Sequence, residues 1–104
     1  MHNSKLLTML GLARRAGKLS LGHDAVMEDI ARGRAQLIVL AADASARVER
    51  EMQRELLFQK SRAKLVRTKY TMEQMGTALP HKVGVVSVND ASFAGAVLNI
   101  YEED

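Results

Sequence analysis

No cysteine occurs among the 104 residues. Disulfides, thiolate zinc sites, iron–sulfur clusters and cysteine nucleophiles are thereby excluded together, and a reducing compartment is the expected setting. Tryptophan is absent and aromatics make up 4%, so a core has to be assembled from Leu, Val, Ile, Ala and Met. The single proline, Pro80, excludes a Pro-rich linker. No apolar run approaches the ~20 residues that cross a bilayer as a helix. The stretch Met1–Lys5 leads into an amphipathic segment carrying Arg14 and Arg15 and lacks a signal-peptide layout, so a cytoplasmic protein with no membrane partner is expected.

Apolar residues account for 47% and charged residues for 26%, the composition of an ordinary globular domain. At this length residues 1–104 are read as one domain. The charge is unevenly spread. Residues 1–72 hold fourteen basic and seven acidic residues, whereas residues 73–104 hold Lys82 alone against five acids. Lys60, Arg62, Lys64, Arg67 and Lys69 follow one another without an intervening acid, and Arg14, Arg15 and Lys18 form a second cluster. Such a polarised basic domain suits nucleic acid; a solvated surface with surplus lysine is the plain alternative.

Helix and strand signals alternate along the chain. Leu6, Met9, Leu10 and Ala13 share one helical face, with Ser4 or Asn3 as cap and Gly17 as stop. Residues 18–21 fit a short strand. Gly22-His23-Asp24 opens a second helix carrying Ala25, Val26 and Ile30, which Gly33 closes. The unbroken β-prone run Gln36–Ala41 suits a strand covered on both faces. Asp43-Ala44-Ser45 caps a helix over about 46–60, with Val48, Met52 and Leu56 in register and Arg47 able to pair with Glu51. A strand over 63–67 follows, then a capping box at Thr71–Gln74 and a short helix to about Leu79. A Val-rich strand over 82–88 and a final helix capped by Asp90, with Phe93, Ala94, Val97, Leu98 and Tyr101 on one face, complete the pattern. This order predicts an α/β fold, a three-layer α/β/α sandwich around a small four-stranded mixed sheet.

Catalytic patterns are missing. His2, His23 and His81 stand far apart, and no metal-ligand spacing links them. Gly17–Gly22 resembles the start of a phosphate-binding loop, but His23-Asp24 follows where Lys-Ser/Thr is required. No serine has a neighbouring base that the sequence reveals. Neither catalysis, a metal nor a cofactor is expected. A glycine just before a helix does leave backbone N–H groups free for an anion. With Arg15 and Lys18 upstream, Gly17–Asp24 is a candidate phosphate seat; the alternative is that Gly22 merely turns the chain and Asp24 complements the helix dipole. His81-Lys82 forms a candidate exposed loop contact, while Met72 and Met75 beside it are expected to fill the core.

Leu10-Gly-Leu-Ala-Arg-Arg-Ala-Gly-Lys18, Leu21-Gly22, Ile30-Ala-Arg-Gly33, Ala35–Ser45 and Val88–Ala94 resemble the ribosomal protein L-seven-Ae family. Its small bacterial YlxQ-like branch is the nearest pattern, and the likeness runs over nearly the whole chain. The resemblance implies a three-layer α/β/α fold and non-catalytic binding of bent RNA such as kink-turns. Structured RNA, ribosomal RNA foremost, is the implied partner, with ribosomal or other proteins as further ones. The family signature is Gly-x-Asn-Glu at the start of the second helix, with a lysine three residues after the Glu. Gly22 matches, but Asp24 replaces the Asn, Ala25 the Glu and Glu28 the Lys. A further family contact, the loop before the last strand, corresponds here to Leu79–Lys82. With the signature degenerate, RNA binding is expected to rest on phosphate contacts. The expected contacts are Arg14, Arg15, Lys18, Gly22, His23, Asp24, Arg32, Arg34, His81 and Lys82. The competing expectation is a protein-interaction module on the same fold, using the acidic C-terminal helix and Glu102-Glu103-Asp104.

Overall fold

The computed structural model describes residues 4–103. Asn3 and His2, and Asp104 of the acidic tail, lie outside them. Nine elements follow in order: α1 Lys5–Arg15, β1 Leu19–Leu21, α2 His23–Ala31, β2 Leu37–Leu40, α3 Ala46–Phe58, β3 Lys64–Arg67, α4 Met72–Met75, β4 Val85–Val88 and α5 Ala91–Glu103. The sheet order is β1-β4-β2-β3. β4 is antiparallel to both neighbours, and β2 and β3 are parallel. The sheet is therefore mixed, as the element order predicts.

Side-chain alternation divides the core. Leu37 and Val39 of β2, with Val86 and Val88 of β4, pack in one cluster with Leu6, Leu10, Met75 and Val97. Ile38, Leu40 and Val85 pack in a second cluster with Val26, Ile30, Met52 and Leu56. Hence α1, α4 and α5 cover one face of the sheet, and α2 and α3 cover the other. All four β2 residues are buried, which explains its uninterrupted apolar run. Fully burying a Leu, Ile or Met contributes about 1.5–3 kcal/mol, so these stripes hold the layers together.

The caps follow the local chemistry of the sequence. Ser4 Oγ accepts from Leu7 N at 3.0 Å, and Ser45 Oγ from Val48 N at 3.1 Å. Thr71 and Gln74 complete a capping box, and Asp90 Oδ2 accepts from Phe93 N at 2.9 Å. Asp43 takes another role: its Oδ1 accepts from Met72 N at 2.9 Å, tying α4 to the end of β2.

Several boundaries differ from the sequence expectation. α3 stops at Phe58 rather than near 60, because Lys60 adopts a left-handed φ of 53°. α4 stops at Met75, beyond which Thr77 and Ala78 donate to Gln74 and Met75 three residues back, tightening the chain into turns. The last strand begins at Val85, not at 82. Val83 turns into the first core cluster, and Gly84 offers only its carbonyl, to Ala41 N at 2.9 Å.

Candidate nucleic-acid interface

Gly22 is the N-cap of α2, with φ 93° and ψ 165°. L-residues avoid this region, so glycine is required. Its own N–H donates to Val85 O at 2.9 Å, which fixes the helix start to the first residue of β4. No side chain caps α2. The N–H groups of its first turn therefore point outward with the positive end of the helix dipole, a ready anion seat. The Leu79–Lys82 segment leads into β4 at this same end of the sheet, with His81 and Lys82 exposed.

His23 follows Gly22 and is exposed. Its Nε2 lies 2.7 Å from Glu51 Oε1 on α3, and its Nδ1 lies 3.2 Å from Asp24 Oδ1. The Glu51 hydrogen bond, then that to Asp24, raises the imidazole pKa above its ordinary 6.5 despite partial burial. The same hydrogen bond from His23 lowers the Glu51 carboxyl. Glu51 also receives Arg47 Nε at 3.2 Å, the pairing that helical spacing implies. Asp24 is fully exposed. Cation and carboxylate thus alternate around the α2 start.

The segment Gly17–Asp24, expected to form one phosphate seat, is instead split between the two ends of the sheet. β1 runs antiparallel to β4 with Leu19 opposite Val88 and Leu21 opposite Val86. Lys18 O accepts from Asn89 N at the far end of β4. Four strand steps put about 13 Å between Lys18 and Gly22. Lys18, with Arg14 and Arg15 at the end of α1, therefore occupies the opposite rim of the sheet. Arg15 also lines a shallow groove with Thr77 and Ala78.

Arg32 and Arg34 follow the C-terminus of α2 and join that opposite rim, where Gln36 N donates to Val88 O at 2.8 Å. Arg32 pairs with Glu28 at 2.9 Å, so Glu28 is held by its own helix. Arg34 Nε and Nη2 each lie 3.1 Å from Asp29 Oδ1. Asp29 is only 3% exposed, and its Oδ2 accepts from Ser87 Oγ at 2.8 Å and Asn89 Nδ2 at 2.9 Å. Burial pushes the Asp29 carboxyl up. The Ser20, Ser87 and Asn89 hydrogen bonds and the Arg34 charge pull it down further, so its pKa ends below the ordinary value. Arg67 of the basic run is likewise engaged: Nη1 donates to the carbonyls of Ala41, Ala42 and Ala44 at 3.1, 3.2 and 2.8 Å, and Nη2 contacts Glu49.

Sequence reasoning paired Glu51 with Arg47 but missed its contact with His23, and it missed Asp29 and the clamp formed by Arg67. Asp29 did carry a signal, as an acid between the buried positions Val26 and Ile30, and so did Ser87, as a hydroxyl inside a valine strand. Among the described residues no group of three His, Asp or Glu could hold a metal ion, and no helix is long and apolar enough to cross a membrane.

Five helices on a four-stranded mixed sheet define a small α/β/α domain that displays helix ends and loops at the two rims of its sheet. The chain belongs to the Ribosomal protein L7Ae/L30e/S12e/Gadd45 family, whose model matches residues 4–96. It is 28% identical over 103 residues to the RNA-binding protein YlxQ of Bacillus subtilis (strain 168), covering 98% of this chain and all of that protein. A protein of unknown function from Bacillus halodurans superposes with a TM-score of 0.86 at 24% identity, over 96% of this chain and 99% of that one. The Giardia lamblia 15.5kD RNA binding protein superposes at 0.71 with 18% identity, over 99% and 90%. These two structural likenesses establish the fold.

Proposed function

We propose that this chain binds structured RNA, ribosomal or ribosome-associated, without catalysing a reaction, and mainly through phosphate. The observation that carries the reading is the uncapped start of α2 at Gly22, at the end of the sheet where the chain enters β4 after the Leu79–Lys82 loop. The Bacillus subtilis relative, which spans the same length, is named an RNA-binding protein, and this supports RNA as the anion. The free backbone N–H groups at His23–Ala25 seat a phosphate or backbone edge, with His81 and Lys82 exposed at the same end of the sheet. Arg14, Arg15, Lys18, Arg32 and Arg34 supply cations at the other rim. An RNA engaging both rims spans the domain.

Kink-turn recognition is weak in this reading. Asp24 offers no amide donor and Ala25 no acceptor, while Glu51 adds a carboxylate beside His23. Each base edge left unread forfeits about 1–3 kcal/mol of discrimination. The test is a gel shift against total cellular RNA over a salt series, beside a kink-turn RNA and a straight duplex of equal length. Binding should fall steeply with salt, because phosphate neutralisation releases counterions, with little preference for the kink-turn. The substitutions Asp24→Asn, Ala25→Glu and Glu28→Lys, made together, should create that preference. No binding at low salt would refute the reading and favour a protein partner for the acidic α5 face. Tight, selective kink-turn binding by the wild type would refute the degenerate-signature part alone.

A further inference from the structure

The C-terminus of α3 carries a surface unlike the rest of the molecule. Phe58 is 78% exposed and its neighbour Leu57 80%. The other three aromatic residues, Tyr70, Phe93 and Tyr101, are all partly buried against the first core cluster. Phe58 is thus the one aromatic ring turned to solvent. An open apolar groove lined by Leu56, Leu57 and Ala63 adjoins it. A second open groove, of about 380 Å³, runs from Ser61 and Ala63 past Lys60 and Arg62 to Gly33 and Gln36. It therefore joins the Phe58 patch to the rim where Arg32 and Arg34 lie.

Charge selects the occupant. Arg54, one helical turn before Phe58, and Lys60 and Arg62, which line the second groove, lie at this end of α3, and none of the three forms an ion pair among the described residues. The adjacent carboxylate, Glu55, is occupied by Gln59 Nε2 at 2.9 Å. Arg67, Arg47, Arg32 and Arg34 are neutralised by carboxylates, whereas these three, like Arg14, Arg15, Lys18 and Lys82 of the interface above, are not. A face for another protein's apolar core gains nothing from a fringe of unpaired like charges, which resist desolvation. A nucleotide chain satisfies both features: its bases stack on an aromatic ring, and its phosphates pair with the surrounding cations.

We infer that the C-terminal end of α3 is a second RNA site, which stacks unpaired bases on Phe58 and guides the backbone along the Lys60–Arg62 groove toward Gly33. It takes single-stranded RNA, in contrast to the folded RNA assigned to the α2 start. RNA as the partner class rests on the functional reading above; the location and the mode are independent of it. His23 at the α2 start touches Glu51, seven residues before Phe58 and so about 10 Å along α3 at 1.5 Å per residue, and an unpaired extension of one RNA can reach both sites.

The probe is a fluorescein-labelled decauridylate, read by anisotropy beside a structured RNA. Phe58 contributes nothing to the core, so Phe58→Ala should fold as the wild type does, checked by circular dichroism. It should weaken decauridylate binding about 5–150-fold, the range that stacking a single base supplies, and leave structured-RNA binding unchanged. The chain has no tryptophan, so Phe58→Trp supplies a single fluorophore; it should retain affinity and be quenched as oligonucleotide is added. Replacing Lys60 and Arg62 with Ala should flatten the salt dependence of decauridylate binding by about 0.7 for each phosphate no longer neutralised. Equal decauridylate affinity in wild type and Phe58→Ala overturns the inference even where structured RNA is bound. A concentration-dependent dimer that Phe58→Ala dissociates, with oligonucleotide affinity unaltered, overturns it in favour of a protein face. Phe58-dependent decauridylate binding without structured-RNA binding supports the inference and refutes the α2 reading.

Discussion

Replacing Gly22 with alanine isolates the backbone contribution to the α2 start. Gly22 holds φ 93° and ψ 165°, a region essentially reserved for glycine. A methyl built there meets nothing within 4 Å, so no packing clash enters and the whole effect is conformational. Forcing an L-residue into this region costs about 1–3 kcal/mol. For a domain of this size each kcal/mol lowers Tm by roughly 4–8 °C, so a drop of about 5–20 °C is expected. Gly33 is the control, being also open to solvent but with φ 73° at the end of α2. Asparagine is accepted in that left-handed C-terminal position, so Gly33→Asn should cost less than about 1 kcal/mol, whereas Gly22→Asn should cost as much as Gly22→Ala. Urea denaturation followed by far-UV circular dichroism measures both series, and RNA affinity below the midpoint reports the seat. A Gly22→Ala variant within about 0.5 kcal/mol of wild type, or equal costs for the two asparagine variants, would refute the reasoning.

Three further outcomes are expected. Asp29→Asn removes the charge that faces Arg34 and turns one of the two oxygens accepting from Arg34, Ser87 and Asn89 into a donor, and should cost about 2–4 kcal/mol in chemical denaturation. Because the folded-state pKa is depressed, the wild-type advantage is present above the ordinary carboxyl value of 3.8 and shrinks as pH falls through the folded value, so the two stability curves should converge in acid. His23 should titrate above 6.5 by NMR of its ring protons, and nearer 6.5 in Glu51→Gln. The stabilisation this pairing provides is complete below 6.5 and lost as pH rises through the folded value, so a higher-pH advantage for the wild type would contradict the assignment. Arg67→Ala frees three carbonyls and Glu49 and should lower stability by roughly 2–3 kcal/mol in the same urea assay, with Arg67→Lys recovering only part.

Local chemistry accounts for what was legible in the sequence. Ser4, Ser45, Thr71 with Gln74, and Asp90 mark helix starts through side-chain oxygens that act within three residues, and Gly17 and Gly33 mark stops. The stripe of Leu6, Leu10 and Ala13 and the unbroken run over Leu37–Leu40 identify the layers because burial repeats with the period of each element. The division of the site between two rims was not legible. Lys18 and Gly22 are four residues apart, but the strand between them carries them to opposite ends of β4. Asp29 meets Ser87 and Asn89 only because β4 lies centrally over α2, and nothing in a linear pattern reports strand order. The family resemblance supplied the fold and the position of the signature. It did not reveal that Glu28 pairs with Arg32 or that Glu51 reaches His23.

The strand order also governs when the domain can form. β1, near the start of the chain, has one partner in the sheet, and that partner is β4. β2, although it lies between them in sequence, also needs β4 to complete its second side. Only the β2–α3–β3 unit can pair before β4 is made. During synthesis at about 5–20 residues per second, roughly 3–14 s separate the appearance of β1 from that of β4. In that interval α1 and β1 wait with their apolar faces uncovered. Assembly from such distant pairings is slow relative to helical domains of equal size. A nascent chain halted just before Val85 should therefore be sensitive to protease across α1 and β1, and one released beyond α5 should resist it.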